Sequence, residues 1–433
     1  MKIGVISLGC AKNLVDTENL LGMLVQSGQE IVTSPDEAEA VIINTCGFIE
    51  SAKTEAINTI LETADLKETG LQKLVVMGCL SQRYQKELTE EMPEVDRFIA
   101  IDEYDHLASV LTETLGVKIA GTYGKAPRVL SGKPWMAYLK ISDGCDNKCS
   151  YCAIPLIRGP MRSIPEDEIV AEAERLVSEG VKELNLIAQD SSRYGYDRDR
   201  CLHLSSLLKK LDRIDGVKWI RVLYLYPDEI PDDLIMTIRS SRHVLPYFDI
   251  PVQHGSDRML KLMNRRGSRE QILERCRMIR KELPQAVLRT TVICGFPSET
   301  EEDHQLTLSM IREVRWDHLG GFTYSREEDT PSYDMEDDVD PAEKERRLAE
   351  VMELQRSISA ELLESRIGKK EEVLVESYDA LTGMFIGRSV LHAPDDVDGH
   401  VRFRSDKDLK AGDFALVEYT RAFDHVLIGK EAE

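Results

Sequence analysis

The chain lacks an excess of basic residues, a long apolar run and an even complement of cysteines, and each absence removes a class of protein. Lys and Arg number 55 against 77 Asp and Glu, a formal net charge of −22. A surface field of that sign repels polyanions, so nucleic acid gripped through its phosphates is not the expected primary partner. No apolar stretch approaches the roughly 20 residues of a membrane-spanning helix. A soluble, cytoplasmic protein with no membrane partner is expected. Nine cysteines cannot all pair within one chain, and they cluster instead of spreading like a disulfide framework, which points to free thiols in a reducing compartment. The opening Met1 to Cys10 resembles a lipoprotein signal in placing a small residue before a cysteine. Its apolar part, Ile3 to Leu8, is interrupted by Gly4 and Ser7 and falls short of the roughly 7 to 15 residues such a signal uses. It reads as a first β-strand.

At roughly 150 residues per domain the length suggests about three domains. Residues 1–120 alternate short apolar runs (Ile3 to Leu8, Ala40 to Asn44, Lys73 to Met77) with helical patterns (Asn13 to Gln26, Ile49 to Leu66, Leu80 to Met92), as an α/β domain on a parallel sheet does. After a Gly- and Pro-bearing joint, residues 131–365 restart the alternation. Strands are expected near Met136 to Ile141, Glu183 to Ala188, Trp219 to Leu225, Tyr247 to Ile250, Val287 to Ile293 and His318 to Thr323. Six βα units predict a partial (β/α)6 barrel with its chemistry on the loops leaving the strand carboxyl ends. A connector helix over Ala342 to Ser365 closes this part. Residues 366–433 then show short strands and turns, the pattern of a small antiparallel β-barrel.

The strongest local signal is Gly144-Cys145-Asp-Asn-Lys-Cys149-Ser-Tyr-Cys152, three thiols on one loop just past a predicted strand. Thiolates are soft ligands for zinc and iron–sulfur clusters. Structural zinc takes four protein ligands, and the next candidates, Cys201 and His203, are distant. Three thiolates on a four-iron cluster instead leave one iron open for a substrate or cofactor. Cys10, Cys46 and Cys79 each directly follow a predicted strand of the first domain. Ligands of such sheets gather at the carboxyl ends of the strands, so these three are expected on one rim.

Cys145-x3-Cys149-x2-Cys152 on the first exit loop of a six-unit barrel resembles the radical S-adenosylmethionine superfamily. With Cys10, Cys46, Cys79 and the terminal barrel, the whole chain is similar to the methylthiotransferases of that superfamily. The resemblance implies two [4Fe-4S] clusters, a radical-generating one on Cys145, Cys149 and Cys152 and an auxiliary one on Cys10, Cys46 and Cys79. It implies S-adenosyl-L-methionine as cofactor, with Gln189 as its expected contact; Gln253, ending the fourth strand, is placed to reach cofactor or substrate. It implies an electron donor such as flavodoxin or ferredoxin, and a TRAM-like terminal barrel.

Two branches of the family differ in substrate, one modifying an adenosine of tRNA and one the β-carbon of an aspartate in small-subunit ribosomal protein number twelve. Ile220-Arg-Val-Leu-Tyr-Leu-Tyr226-Pro227, Tyr247-Phe-Asp249-Ile-Pro-Val-Gln253-His254 and Phe322-Thr-Tyr324-Ser-Arg-Glu-Glu are similar to the ribosomal-protein branch. So is Gly387 to Gly399, with His392 in place of an Asp and one residue more. From Arg366 on there are 10 Lys and Arg against 14 Asp and Glu, a net of −4, which suits a basic protein partner better than RNA. The tRNA branch and a non-catalytic iron–sulfur electron carrier are the alternatives. Arg158 and Arg162 are read as contacts for a carboxylate or as surface charge, Lys148 and Tyr151 as shaping the cysteine loop. His254 is read as a site residue or a structural histidine, Cys294 as a strand-exit thiol, and Cys201 and Cys276 as incidental.

Overall fold

A computed structural model describes residues 1–394 and 396–432. The first part runs β1 (Lys2–Ser7), α1 (Ala11–Gln26), β2 (Glu30–Val32), β3 (Ala40–Thr45), α2 (Glu50–Ala64), β4 (Lys73–Gly78), α3 (Cys79–Glu91), β5 (Arg97–Ile99) and α4 (Leu107–Leu115). All five strands are parallel in the order β2-β1-β3-β4-β5. The central strand β3 is buried along its whole length, and its nearly unbroken apolar sequence is what a strand covered on both faces requires. The edge strands β2 and β5 escape sequence reading, since three residues carry no alternation. Chain order reverses between β1 and β3, and the crevice at such a switch point is where doubly wound sheets place their ligands. Cys10 and Cys46 leave those two strands.

The second part builds an open sheet from β6 (Met136–Lys140), β7 (Glu183–Ile187), β8 (Trp219–Val222), β9 (Val244–Asp249), β10 (Val287–Cys294) and β11 (His318–Thr323). The strands stand in sequence order, all pairs are parallel, and β6 does not pair with β11. This is the partial six-stranded barrel. The connector helix, Pro341–Glu364, is capped by Asp340, whose side chain accepts from the Ala342 N–H. It buries Lys344, Arg347, Val351, Gln355 and Ile358, spaced three or four apart. Its polar members donate inward, Gln355 to the Trp316 carbonyl at 2.8 Å and Arg347 to the Glu299 carbonyl at 2.9 Å.

The last part closes a five-stranded barrel from β12 (Lys370–Asp379), β13 (Met384–Arg388), β14 (His400–Arg404), β15 (Phe414–Phe423) and β16 (Val426–Glu431), in the order β12-β13-β14-β16-β15. This is the small antiparallel barrel expected, with one exception among its pairings, because β14 and β16 run parallel. The final strand closes the barrel between β14 and β15, and its direction there matches β14.

This small barrel stops the mouth of the large one at the amino ends of its strands. Met136, Glu183, Trp219, Val287 and His318 are the first residues of β6, β7, β8, β10 and β11, and all face it. Met136, Trp219 and Val287 join one buried apolar cluster with Val373, Leu391 and Phe414, and the Trp219 and Phe414 rings meet edge-on at 4.9 Å. Arg388 pairs with Glu183 at 2.6 Å and Glu376 at 2.9 Å, both guanidinium and Glu183 being wholly buried. Arg221 donates to the Val390 carbonyl, His318 to that of Leu391, and Tyr247 to Asp398 at 2.5 Å. The loop from Gly387 to Gly399 is therefore an anchor between domains; its Asp395 lies outside the described residues. His392 is buried within it, its Nδ1 accepting from the Ser389 N–H at 3.3 Å.

Candidate functional site

The two thiol triplets come from different domains and line one cavity of about 350 Å³. Its wall includes Cys10, Cys46 and Cys79 on one side and Cys145, Cys149 and Cys152 on the other. Cys10 precedes α1, Cys46 follows β3 and Cys79 opens α3, so the carboxyl ends of three adjacent strands deliver the first set. Gly9 permits the approach. Its φ is +93°, and a Cβ there would stand 2.7 Å from the Cβ of Cys46. Asn13 ties the set together, its Oδ1 accepting from the thiols of Cys10 and Cys79, each at 3.6 Å, while its Nδ2 donates to the Thr45 carbonyl at 2.8 Å.

Arg158 reaches this first set from the second domain. Its guanidinium lies 2.9 Å from Asp16 and 3.1 Å from Asp143, donates to Asn13 Oδ1 at 3.0 Å, and sits 3.7 Å from the Cys79 sulfur. Arg158 is not surface charge, since it is buried in the cavity wall and balanced by two aspartates. It joins the domains beside the thiols. Arg162 is exposed and outside the cavity wall. Lys140, 2.6 Å from Asp16, and Arg128, 2.7 Å from Glu18, extend the same seam along α1. Polar residues of α1 are thus inter-domain contacts.

Burial pushes the Cys79 thiol up to about 11, against the pull of Arg158. Burial likewise raises Cys46, takes Cys145 up to about 11 and Cys152 up to about 12. Such thiols give up their protons only to a strong Lewis acid, so metal loading releases protons here. The donor set fits iron–sulfur chemistry. Each triplet is all sulfur, and among the described residues no histidine lines the cavity and no three His, Cys, Asp or Glu side chains gather around a single ion-sized point. Thiols spread around a wall suit the corners of a multi-iron cluster better than one zinc.

Gln189 and Gln253 both line the cavity, half-buried, with no side-chain hydrogen bond among the described residues. Gln253 holds φ +71° because its N–H donates to the Thr291 carbonyl at 2.9 Å and its carbonyl accepts from Ile293 at 2.8 Å. Tyr151 lines the wall, whereas Lys148 is exposed. His254 turns away, wholly buried, with Nδ1 accepting from Ser256 at 3.0 Å and Nε2 3.4 Å from Glu299, which is a structural role. Cys294 and Cys276 are buried outside the cavity, burial raising each thiol to about 12, and Cys201 is exposed.

Sequence reasoning missed two wall residues. Arg265 stacks on the Tyr226 ring at 4.0 Å, lies 3.8 Å from the Cys149 sulfur and donates to the Pro251 carbonyl at 2.5 Å. Lys12 holds its ammonium 3.3 Å above the Tyr224 ring. Only Lys12's place two residues after Cys10 marked it, and nothing local marked Arg265.

A partial parallel barrel with three thiols on its first exit loop, matched over residues 139–311 by the model of the Radical SAM superfamily, makes this a radical S-adenosylmethionine protein. Residues 2–100 match the Uncharacterized protein family UPF0004 and residues 367–431 the TRAM domain. Ribosomal protein uS12 methylthiotransferase RimO of Acetivibrio thermocellus is 45% identical over 99% of this chain and 98% of its own length, and that of Clostridioides difficile 43% identical over 99% and 98%. The chain belongs to the RimO family. Among solved structures, the radical S-adenosylmethionine methyltransferase TsrM from Kitasatospora setae shares the fold, with a TM-score of 0.56 at 12% identity, over 88% of this chain and 79% of that one. Among the described residues no helix is long and apolar enough to cross a membrane.

Proposed function

We propose that this chain is a methylthiotransferase that replaces a C–H bond at the β-carbon of an aspartate of ribosomal protein uS12 with a methylthio group. The observation that carries the reading is the convergence of two thiol triplets from two domains on one cavity. Cys145, Cys149 and Cys152 would hold one [4Fe-4S] cluster and Cys10, Cys46 and Cys79 a second. When bound, these clusters and S-adenosyl-L-methionine supply the hydrogen-abstracting radical and the methylated sulfur that replaces the hydrogen. The protein's part is to hold both against one carbon and keep water out. Gln189 and Gln253 offer free amides to the cofactor. Arg265, beside Cys149 and without a carboxylate partner among the described residues, offers its carboxylate a charge. Tyr226, its ring under Arg265 and its hydroxyl 4.0 Å from the Cys149 sulfur, fixes that guanidinium.

Reduction would come from a small cytoplasmic electron-transfer protein such as flavodoxin or ferredoxin. The net charge of −22 favours encounter with a basic ribosomal protein over tRNA. The terminal barrel sits at the strand ends opposite the thiols, so the whole surface field, and not a barrel contact alone, would steer the substrate. A simple electron carrier has no need of a cavity between its clusters.

The test is anaerobic reaction of the cluster-loaded protein with reductant and S-adenosyl-L-methionine, offering uS12 and unmodified tRNA in parallel and reading mass. Addition of a methylthio group to an aspartate of uS12 is expected, and addition to tRNA alone would overturn the substrate. Cys149→Ala should abolish 5′-deoxyadenosine formation, whereas Cys46→Ala should retain it and lose methylthio transfer. Full methylthio yield from Cys46→Ala would refute the role of the second triplet.

A further inference from the structure

Three cations stand in the cavity wall, and their compensation differs. Arg158 is balanced by Asp16 and Asp143. Arg265 and Lys12 have no carboxylate partner among the described residues. Arg265 lies on the side of Cys149. Lys12 projects from α1, two residues beyond Cys10, on the opposite wall. It is 5% exposed, and its contact is the Tyr224 ring, with no hydrogen bond or ion pair among the described residues. A ring face holds an ammonium without neutralising it. A buried lysine in that state is a poised anion receptor, since a carboxylate brought to it forms a charge-assisted pair in a site shielded from water.

The ring itself is placed with care. Tyr224 has φ +62°, a conformation tyrosine adopts at a cost. It is held by the Asp249 carboxylate, which accepts its N–H at 3.0 Å, and by Ser191, whose N–H donates to its carbonyl at 2.9 Å. Strain of this kind persists where the surroundings over-determine it, and it gathers at binding sites.

We propose that Lys12 binds the side-chain carboxylate of the target aspartate and so selects aspartate over neutral side chains. The inference rests on the functional reading above. The carbon that loses hydrogen and gains sulfur must reach both thiol triplets, so it sits between the two walls. The carboxylate bonded directly to that carbon travels with it. Two carboxylates enter the cavity, one on the cofactor and one on the substrate, and two uncompensated cations await them. Arg265, at the first cluster's loop, suits the cofactor. Lys12, on the second wall, is left for the substrate, where its flexible stem follows the carbon toward the sulfur.

The experiment measures binding of the full, cluster-loaded chain with S-adenosyl-L-methionine to uS12 and to uS12 whose modified aspartate is changed to asparagine, by fluorescence anisotropy. The unaltered chain should prefer the aspartate form by about 10- to 100-fold, the range of one charged hydrogen bond. Lys12→Met and Lys12→Gln should lose that preference, and Lys12→Arg should keep most of it. Neutral variants that retain the preference, or that weaken both forms equally as a merely structural lysine would, overturn the proposal. Failure of the unaltered chain to bind either form would instead overturn the functional reading, and this inference with it.

Discussion

Removing the guanidinium of Arg388 should undock the terminal barrel from the catalytic one. Arg388 makes two contacts to Glu183, at 2.6 and 3.2 Å, and one to Glu376 at 2.9 Å, with Arg388 and Glu183 wholly buried. Arg388→Met leaves Glu183 with Arg221, whose Nε is 3.5 Å away. Breaking a buried pair from one side costs about 3 to 5 kcal/mol, chiefly because the surviving charge stays buried. For a cooperative unit of this size each kcal/mol moves the midpoint by about 2 to 4 °C, giving a fall of about 6 to 20 °C. Calorimetry at pH 7 reads it. Arg388→Lys should fall between, since one ammonium cannot bridge both carboxylates. Although burial pushes Glu183 upward, Arg388 and Arg221 together hold it below the 4.5 of a free glutamate. Its contribution is therefore present above pH 4.5 and lost as pH falls through the lower folded value, so the gap between wild type and Arg388→Met should narrow on acidification. A midpoint for Arg388→Met within about 2 °C of wild type at pH 7 would refute the reasoning.

Further outcomes follow from the same seams. Burial, reinforced by His318 nearby, holds His392 well below the 6.5 of a free histidine, so the folded state keeps it neutral. Below pH 6.5 the unfolded chain takes up the proton first, and stability should fall by about 1.4 kcal/mol per pH unit; His392→Asn should flatten that part of the midpoint-versus-pH curve, and an unchanged slope would contradict it. Arg158→Met leaves Asp16 and Asp143 to share Lys140, at 2.6 and 3.0 Å, and iron bound after reconstitution should drop toward half the wild-type content as the first triplet loosens. Equal iron content would show that Arg158 is dispensable to it.

Local features of the chain are readable because they are encoded within a few residues. The spacing of Cys145, Cys149 and Cys152 requires only one loop, and the exits carrying Cys10, Cys46 and Cys79 follow from strand–helix alternation. The six core strands and the connector helix are legible by the same periodicity. What tertiary structure alone decided involves residues far apart in the chain. Asn13 meets Arg158 across 145 positions and Arg388 meets Glu183 across 205, and no local pattern marks such partners. Lys12, Asp16 and Glu18 are polar positions of a helix, yet they are buried, Lys12 under Tyr224, Asp16 against Lys140 and Arg158, and Glu18 against Arg128. Periodicity reports which face of a helix is apolar, but the burial of a polar face depends on charges supplied by another domain. That is why the sequence by itself determined the two sets of thiols, and only the folded chain brought them to one cavity with a lysine in its wall that has no ion pair among the described residues.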